Sequence, residues 1–350
     1  MSKWYEKPGA YDDIILSTRV RLARNIEQLP FHTRITDEQR HQLNHLIREA
    51  LSTAHFGDNP LSFIALPDQP DVEILSLVEN HAISPDFAER PENKLLVLSK
   101  NHDISIMVGE EDHLRIQVMQ SGLALEQALQ LANQVDDLLD EHLTYAFDEE
   151  FGYLTACPTN LGTGLRASVM IHLPALEKAN AISQLANTIA KLGLTIRGTY
   201  GEGSRAKGSV YQISNQITLG ISEEMAIQNL QSIVLQIVTQ ERSTREAIWH
   251  DRLALEDLVY RSLGVLRSAR LLSGEEYETM SSNVRLGASM GVLQDFDMAV
   301  INRLNAMTGS ATICLEHKEM LQPAQRDAAR AALVRRELGE YSLNTEPHGD

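Results

Sequence analysis

The chain is 350 residues long and 43% hydrophobic, more than one domain ordinarily holds, so two domains divided by a linker are expected. Its 31 Lys and Arg against 48 Asp and Glu give a net charge of −17, which argues against a nucleic-acid binder and favours cationic partners such as basic proteins. The 2 cysteines, Cys157 and Cys314, are far apart and lack metal-ligand spacing, so neither a disulfide framework nor a zinc site is expected, and a reducing cytoplasm fits. The opening MSKWYEKPGAYDD has no signal-peptide core, and no apolar run reaches about 18 residues, so a soluble cytoplasmic protein without membrane contact is expected.

In chain order, STRVRLARN (17–25) places Arg19 and Arg21 two apart, so in an extended segment both guanidinium groups point the same way. Two such forks suit a polyphosphate; a solvated basic strand is the plainer alternative. The spacing predicts a helix over 37–54, opened by a capping box between Thr36 and Gln39. Two apolar runs within 94–108, split by the polar turn 99–103, read as a hairpin. EEDHLRIQ (110–117) then sets three acids before a strand in which Leu114, Ile116 and Val118 alternate with His113, Arg115 and Gln117. These acids are either solvated turn residues or part of a site.

An amphipathic helix is expected over 123–142, strand-like segments over 151–155 and 167–173, and a helix opening at Pro174. CPTNLGTGLRASVMIHLP (157–174) is a glycine-bearing turn feeding a strand, with Arg166, Ser168 and His172 on one face and Ala167, Val169 and Ile171 on the other. Cys157, just before that turn, is either a small buried hydrophobe or a reactive thiol. Strands near 194–196 and 210–213 bracket RGTYGEGSRAKGS (197–209), whose glycines allow a fold over a ligand that brings Glu202 to it; a flexible surface loop is the alternative. The segment matches neither the Walker pattern nor the dinucleotide fingerprint. From 222 to 270 and from 275 to 340 the pattern is helical, and a domain boundary is expected near Arg245.

Together these stretches supply five arginines (Arg19, Arg21, Arg115, Arg166, Arg197) and two candidate carboxylates, Glu111 and Glu202. A nucleoside triphosphate needs such cationic clamping if its terminal phosphoryl group is to transfer. A guanidinium acceptor, with a pKa above about 12, needs carboxylates to orient it and to draw off a proton.

STRVRLARN, the EEDHLR opening, CPTNLGT with RASV, and RGTYGE followed by ISNQITLG resemble the phosphagen (guanidino) kinases in five blocks, over roughly residues 14–245. Two departures look like the branch of that family that acts on arginine in bacterial proteins: only residues 1–16 precede the first block, where small-guanidine kinases carry a helical domain, and a long helical extension follows the last. The resemblance implies an α+β fold. It implies that residues 1–245 form a phosphagen-kinase-like catalytic domain, a largely antiparallel sheet flanked by helices, and 246–350 an all-helical domain. It implies ATP with Mg2+, and nucleotide contacts at Ser17, Thr18, Arg19, Val20, Arg21, His81, Arg115, Arg166, Ala167, Ser168, Val169, Met170, Arg197, Gly198, Thr199, Tyr200, Gly201 and Glu202.

By the same resemblance Glu111 positions and deprotonates the guanidinium, Glu202 is the second clamp, and Cys157 lies against the same group, with no protein-held metal. An open site would admit an arginine still attached to a protein. QRDAARAAL reads by spacing alone as a salt-bridged helix surface; the resemblance implies instead an allosteric phosphoarginine site at Arg326, Asp327, Arg330 and Ala331, and a homodimer built through this domain. It also implies arginine-rich protein substrates, a separate zinc-binding activator and delivery of marked proteins or repressors to a Clp-type protease. Arg205, where an acid is expected, with the basic Lys207 nearby, and Gly109 in place of Asn, depart from the pattern without touching a residue assigned to chemistry. A kinase for free arginine or another small guanidine, and a non-catalytic phosphoarginine reader, are the alternatives.

Overall fold

The computed structural model describes residues 2–52, 54, 56–198 and 206–339. The chain enters through β1 (Ile15–Arg24) and α1 (Asp37–Ala50), then β2 (Leu61–Ala65), α2 (Asp71–Glu79) and α3 (Pro85–Glu89), and the meander β3 (Leu95–Ser99), β4 (Ile104–Val108) and β5 (Leu114–Ser121). α4 (Leu125–Asp140) leads to a short ribbon, β6 (Phe147–Asp148) with β7 (Gly152–Tyr153), and to β8 (Leu165–His172). α5 (Pro174–Lys178), α6 (Ile182–Ala190), β9 (Leu194–Gly198) and β10 (Val210–Asn215) follow. The rest is helical: α7 (Glu223–Ile248), α8 (Arg252–Ser268), α9 (Gly274–Ser289), α10 (Met298–Met307), α11 (Ser310–His317) and α12 (Pro323–Gly339).

Eight strands form one antiparallel sheet in the order β2-β3-β4-β5-β1-β8-β10-β9. This is the expected α+β class. Strand alternation assigns the two faces. Val20 and Leu22 of β1, Leu114, Ile116 and Val118 of β5, and Leu165, Ala167, Val169 and Ile171 of β8 are fully buried in one core with residues of α1, α4 and α7. The intervening residues, Arg19, Arg21, Arg115, Arg166 and Met170, face away from it and line an open cleft. A smaller cluster under α2 and α3, built on Leu66, Ile74, Phe87, Leu96 and Met107, closes that second face at the β2 end. α8–α12 enclose a core of their own around Leu255, Leu263, Val284, Leu304 and Val334.

Local chemistry explains where elements stop. Thr36 caps α1 as expected, its hydroxyl accepting from Gln39 N at 3.3 Å while the Gln39 side chain accepts from Thr36 N at 3.0 Å. The helix ends at Ala50 rather than at 54, because Ser52 turns its hydroxyl onto Glu49 O at 2.8 Å and competes with the helical pattern. Pro174 is the first residue of α5. The segment expected as a strand over 151–155 keeps only Gly152 and Tyr153 in β7, and within the helical stretch 222–270 one long helix, α7, ends at Ile248 before α8 opens at Arg252. Its counterpart over 275–340 divides into α9, α10, α11 and α12.

Candidate active site

The cleft on the open face of the sheet encloses about 410 Å³, and Arg19, Arg21, Arg115, Arg166 and Arg197 all line it. Sheet register brings them together. Across β1, Arg21 is paired with Gln117 on one side and Arg166 on the other, and Arg19 with Met119 and Ser168. Arg19 is anchored by donating to Gln212 Oε1 at 2.9 Å and to Ser168 Oγ at 3.4 Å. The buried Nε of Arg21 finds no acceptor among the described residues. Burial and the neighbouring Arg115 and Arg166 push Arg19 down to about 10. Arg21 is held well below its ordinary value by burial, then by Arg19, Arg115 and Arg166. Cations this crowded await an anion.

The three consecutive acids separate into three roles. Glu110 is buried, accepts the Ser84 hydroxyl, and takes Arg115 Nη1 at 2.8 Å. Asp112 is fully buried and accepts Asn25 Nδ2 and Ala156 N, each at 2.7 Å. Glu111 alone of the three lines the cleft, 3.3 Å from Arg115 Nη2, with Cys157 as a hydrogen-bond partner. Burial raises its pKa above the ordinary carboxylate range; Arg115 opposes this, Asp112 and Glu110 add to it, and the Cys157 hydrogen bond opposes it again. The result is a carboxylate of heightened basicity at the end of an arginine cradle.

The turn beside it is knitted by blocks distant in sequence. Thr218 Oγ1 donates to Thr159 O at 3.0 Å and Leu161 O at 2.7 Å, while Arg24 Nη1 donates to Thr163 O at 2.9 Å. Gly164 adopts φ +64 with Ala23 O only 2.6 Å from where a Cβ would stand, so the chain folds back onto β1 only without a side chain. Cys157 is half-buried in the cleft wall, its Sγ 3.1 Å from Thr159 Oγ1. His81, φ +58, lines the cleft and is pushed down to about 4 by burial and then Arg19, which makes it a neutral imidazole.

Met170 and Gly198 also line the cleft. Ser17 is buried near the start of β1, between Ser121 of β5 and Met170 of β8. Thr18, Val20, Ala167 and Val169 turn their side chains away: Thr18 Oγ1 donates to Gly122 O at 2.7 Å, and the other three are fully buried in the core. Thr199, Tyr200, Gly201 and Glu202, together with Arg205, lie outside the described residues. His172, read on the Arg166 face, stands beyond the cleft, its Nε2 2.8 Å from Ser282 Oγ. Sequence reasoning did not assign Ser84, Glu110, Gln117 and Gln212 to the site; strand alternation could have found the last two, since each stands between two core positions on its strand and so points to the opposite face.

The RDAARA stretch is not the surface pair that its spacing suggests. Arg330 is buried and donates to Asp327 Oδ1 at 2.7 Å, Thr308 O and Leu272 O at 2.8 Å each, and Ser310 Oγ at 3.3 Å. Ala331 is fully buried and Arg326 half-buried.

An arginine-lined cleft on an antiparallel sheet, closed by one basic carboxylate, defines a phosphotransferase acting on a cationic acceptor. The family model of the ATP:guanido phosphotransferase C-terminal catalytic domain matches residues 42–244, and that of the protein-arginine kinase McsB C-terminal domain matches residues 252–348. The crystal structure of lombricine kinase superposes with a TM-score of 0.60 at 27% identity, covering 66% of this chain and 67% of that one. The duplicated taurocyamine kinase from Schistosoma mansoni, with bound transition-state analogue components, gives 0.57 at 27% identity, covering 67% of this chain and 33% of that one.

Among curated proteins, the protein-arginine kinase of Halothermothrix orenii is 45% identical, covering 97% of both chains, and that of Bacillus subtilis is 44% identical, covering 97% of this chain and 93% of its own. The chain belongs to the protein-arginine kinases within the ATP:guanido phosphotransferase family. That family uses ATP. Among the described residues no helix is long and apolar enough to cross a membrane.

Proposed function

We propose that this protein transfers the γ-phosphoryl group of ATP to the guanidinium of arginine side chains in proteins. The observation that carries the reading is Glu111, the one member of an acidic triplet left facing a cleft of five arginines. Arg19, Arg21, Arg115, Arg166 and Arg197 neutralise the triphosphate and the charge that develops as its terminal bond loosens. A guanidinium nitrogen attacks the γ-phosphorus in line and its proton passes to Glu111. The bond to the β-phosphate oxygen breaks and ADP departs with that electron pair. Glu202, outside the described residues, is assigned as the second clamp on the acceptor, and Cys157 as the thiol that holds Glu111 against it. His81, Ser168, Met170 and Gly198 complete the nucleotide contacts; Ser17, Thr18, Val20, Ala167 and Val169 contribute through their backbone, and Thr199, Tyr200 and Gly201, outside the described residues, are assigned to the same nucleotide. Mg2+ enters on the phosphates, because the carboxylates lining this cleft among the described residues are Asp86 and Glu111, and Glu111 is committed to the acceptor.

We read residues 1–245 as the catalytic domain and 246–350 as a domain for dimerisation and phosphoarginine binding at Arg326, Asp327, Arg330 and Ala331. The separate helical core supports the division, and the closeness of Asp327 to Arg330 supports one paired ligand site. A net charge of −17 favours basic substrates in the cytoplasm. Handing of marked proteins or repressors to a Clp-type protease, with a zinc-binding activator, completes the proposal. The decisive test offers Mg-ATP with free arginine in one reaction and an arginine-rich protein in another, the products read by mass spectrometry at neutral pH. Phosphate on protein arginine alone supports the reading. Phosphate on free arginine replaces it with a small-guanidine kinase, and phosphate on neither points to the reader function or to a missing activator.

A further inference from the structure

One six-residue segment joins the cleft to the helical domain. α2 ends at Glu79, and residues 80–84 carry two groups that shape the cleft. His81 lines it from a left-handed backbone conformation, with its carbonyl accepting Gln117 Nε2 at 2.8 Å. The Ser84 hydroxyl holds Glu110, which holds Arg115. Glu79 does not line the cleft; it reaches the other way. Its Oε1 accepts Ala311 N at 2.8 Å, and its Oε2 accepts Thr312 N and Thr312 Oγ1, each at 2.8 Å. Those amides open α11, where the helix dipole favours a carboxylate. The seat is tight: a Cβ on Gly309, the residue before α11, would overlap the Glu79 carboxylate. Arg330 grips the same helix end through Ser310 Oγ at 3.3 Å and Thr308 O at 2.8 Å.

We propose that Glu79 is a positioning residue for the nucleotide: seated in the N-terminus of α11, it fixes where His81 and Ser84 stand, so the helical domain sets the nucleotide affinity of the catalytic sheet. This rests on the cleft being the ATP site. Glu79→Ala removes the carboxylate and Gly309→Ala fills its space, two routes to the same broken seat. Calorimetry with a non-hydrolysable ATP analogue reads affinity without turnover. Each single variant is expected to bind the analogue about tenfold more weakly. The double variant is expected to bind no more weakly than Glu79→Ala alone, because the added methyl then has nothing to displace. Glu79→Gln, which keeps the shape and one acceptor, recovers much of the affinity, and in turnover the loss shows as a raised KM for ATP.

Single variants that bind as tightly as the parent, or losses that add in the double variant, overturn the proposal. A parent protein that binds no analogue overturns the reading of the cleft instead. Should Glu79→Ala fail to fold, Glu79→Ser and its double variant with Gly309→Ala carry the same comparison, since the shorter side chain also vacates the space beside Gly309.

Discussion

Replacing Glu111 with Gln keeps the shape of the side chain and removes its ability to accept a proton. A positioned general base contributes about 10²- to 10⁴-fold, so kcat/KM for a protein substrate should fall by that factor, about 2.7–5.5 kcal/mol of transition-state stabilisation. Nucleotide affinity should hold, because Arg115 keeps Glu110 at 2.8 Å when its longer 3.3 Å contact to Glu111 weakens. The assay is the initial rate of phosphoarginine formation between about pH 5 and 9, beside calorimetric binding of an ATP analogue. Burial raises the Glu111 carboxyl above the ordinary range, while Arg115 and the Cys157 hydrogen bond oppose the rise. The acid limb of the parent kcat/KM profile therefore lies above ordinary carboxylate titration, and Cys157→Ala should move it to still higher pH. The same shift carries a stability sign. The folded protein binds this proton more tightly than the unfolded chain, so the contribution is fully present below the unfolded pKa and is lost as pH rises through the folded value. Glu111→Gln should thus melt above the parent at neutral pH, an active-site group exchanged for stability. A variant retaining activity within tenfold, or an acid limb that Cys157→Ala leaves in place or lowers, would refute the assignment of the base.

Arg21→Met removes a half-buried cation whose buried Nε has no acceptor among the described residues and whose neighbours are cations. It should melt above the parent without ligand, yet lose the stabilisation that ATP gives the parent, about 2.7 kcal/mol at 100 times Kd; a lower ligand-free melting temperature would contradict the electrostatic account. Arg330→Ala leaves the Thr308 and Leu272 carbonyls without their buried donor and should cost about 1–3 kcal/mol for each by chemical denaturation. Half-buried Arg326 is the better probe of ligand binding: Arg326→Ala should change stability by no more than about 0.5 kcal/mol while abolishing binding of free phosphoarginine measured by calorimetry, and retained binding would remove Arg326 from the proposed site.

The sheet was legible because period-two alternation is a local property. Leu114, Ile116 and Val118, and likewise Ala167, Val169 and Ile171, announce their strands and faces without knowledge of their neighbours. β2, α2 and α3 were not read, since LSFIA over Leu61–Ala65 is only partly buried on both faces and gives no alternation. In the site, residue types were legible and roles were not. Glu110, Glu111 and Asp112 are adjacent and chemically alike. What separates them is Ser84, Cys157 and Asn25, brought up from 26, 46 and 87 residues away. The Asp327–Arg330 spacing is equally that of an exposed pair and of a buried one, and the deciding acceptors, Leu272 O and Thr308 O, carry no sequence signal.

Arg21 and Arg24 show how one strand makes the same side chain both functional and structural. They are three residues apart on β1, so alternation sends them to opposite faces. Arg24 is fully buried, and Arg21 is half-buried in the cleft wall. Arg24 meets Asp136 at 2.6 Å and lies over the Tyr153 ring at 3.5 Å, and these partners hold its charge above its ordinary pKa despite the cost of burial. Arg21 meets Arg19, Arg115 and Arg166, and its charge is held well below. The first arrangement is complete as the chain folds and has nothing to gain from a ligand. The second leaves electrostatic free energy that only an anion can release, and a triphosphate, more than a monophosphate, presents enough charge to do so. Affinity for nucleotide therefore arises from what the fold leaves uncompensated on one face of β1, while the other face supplies the rigidity that keeps those charges from moving apart.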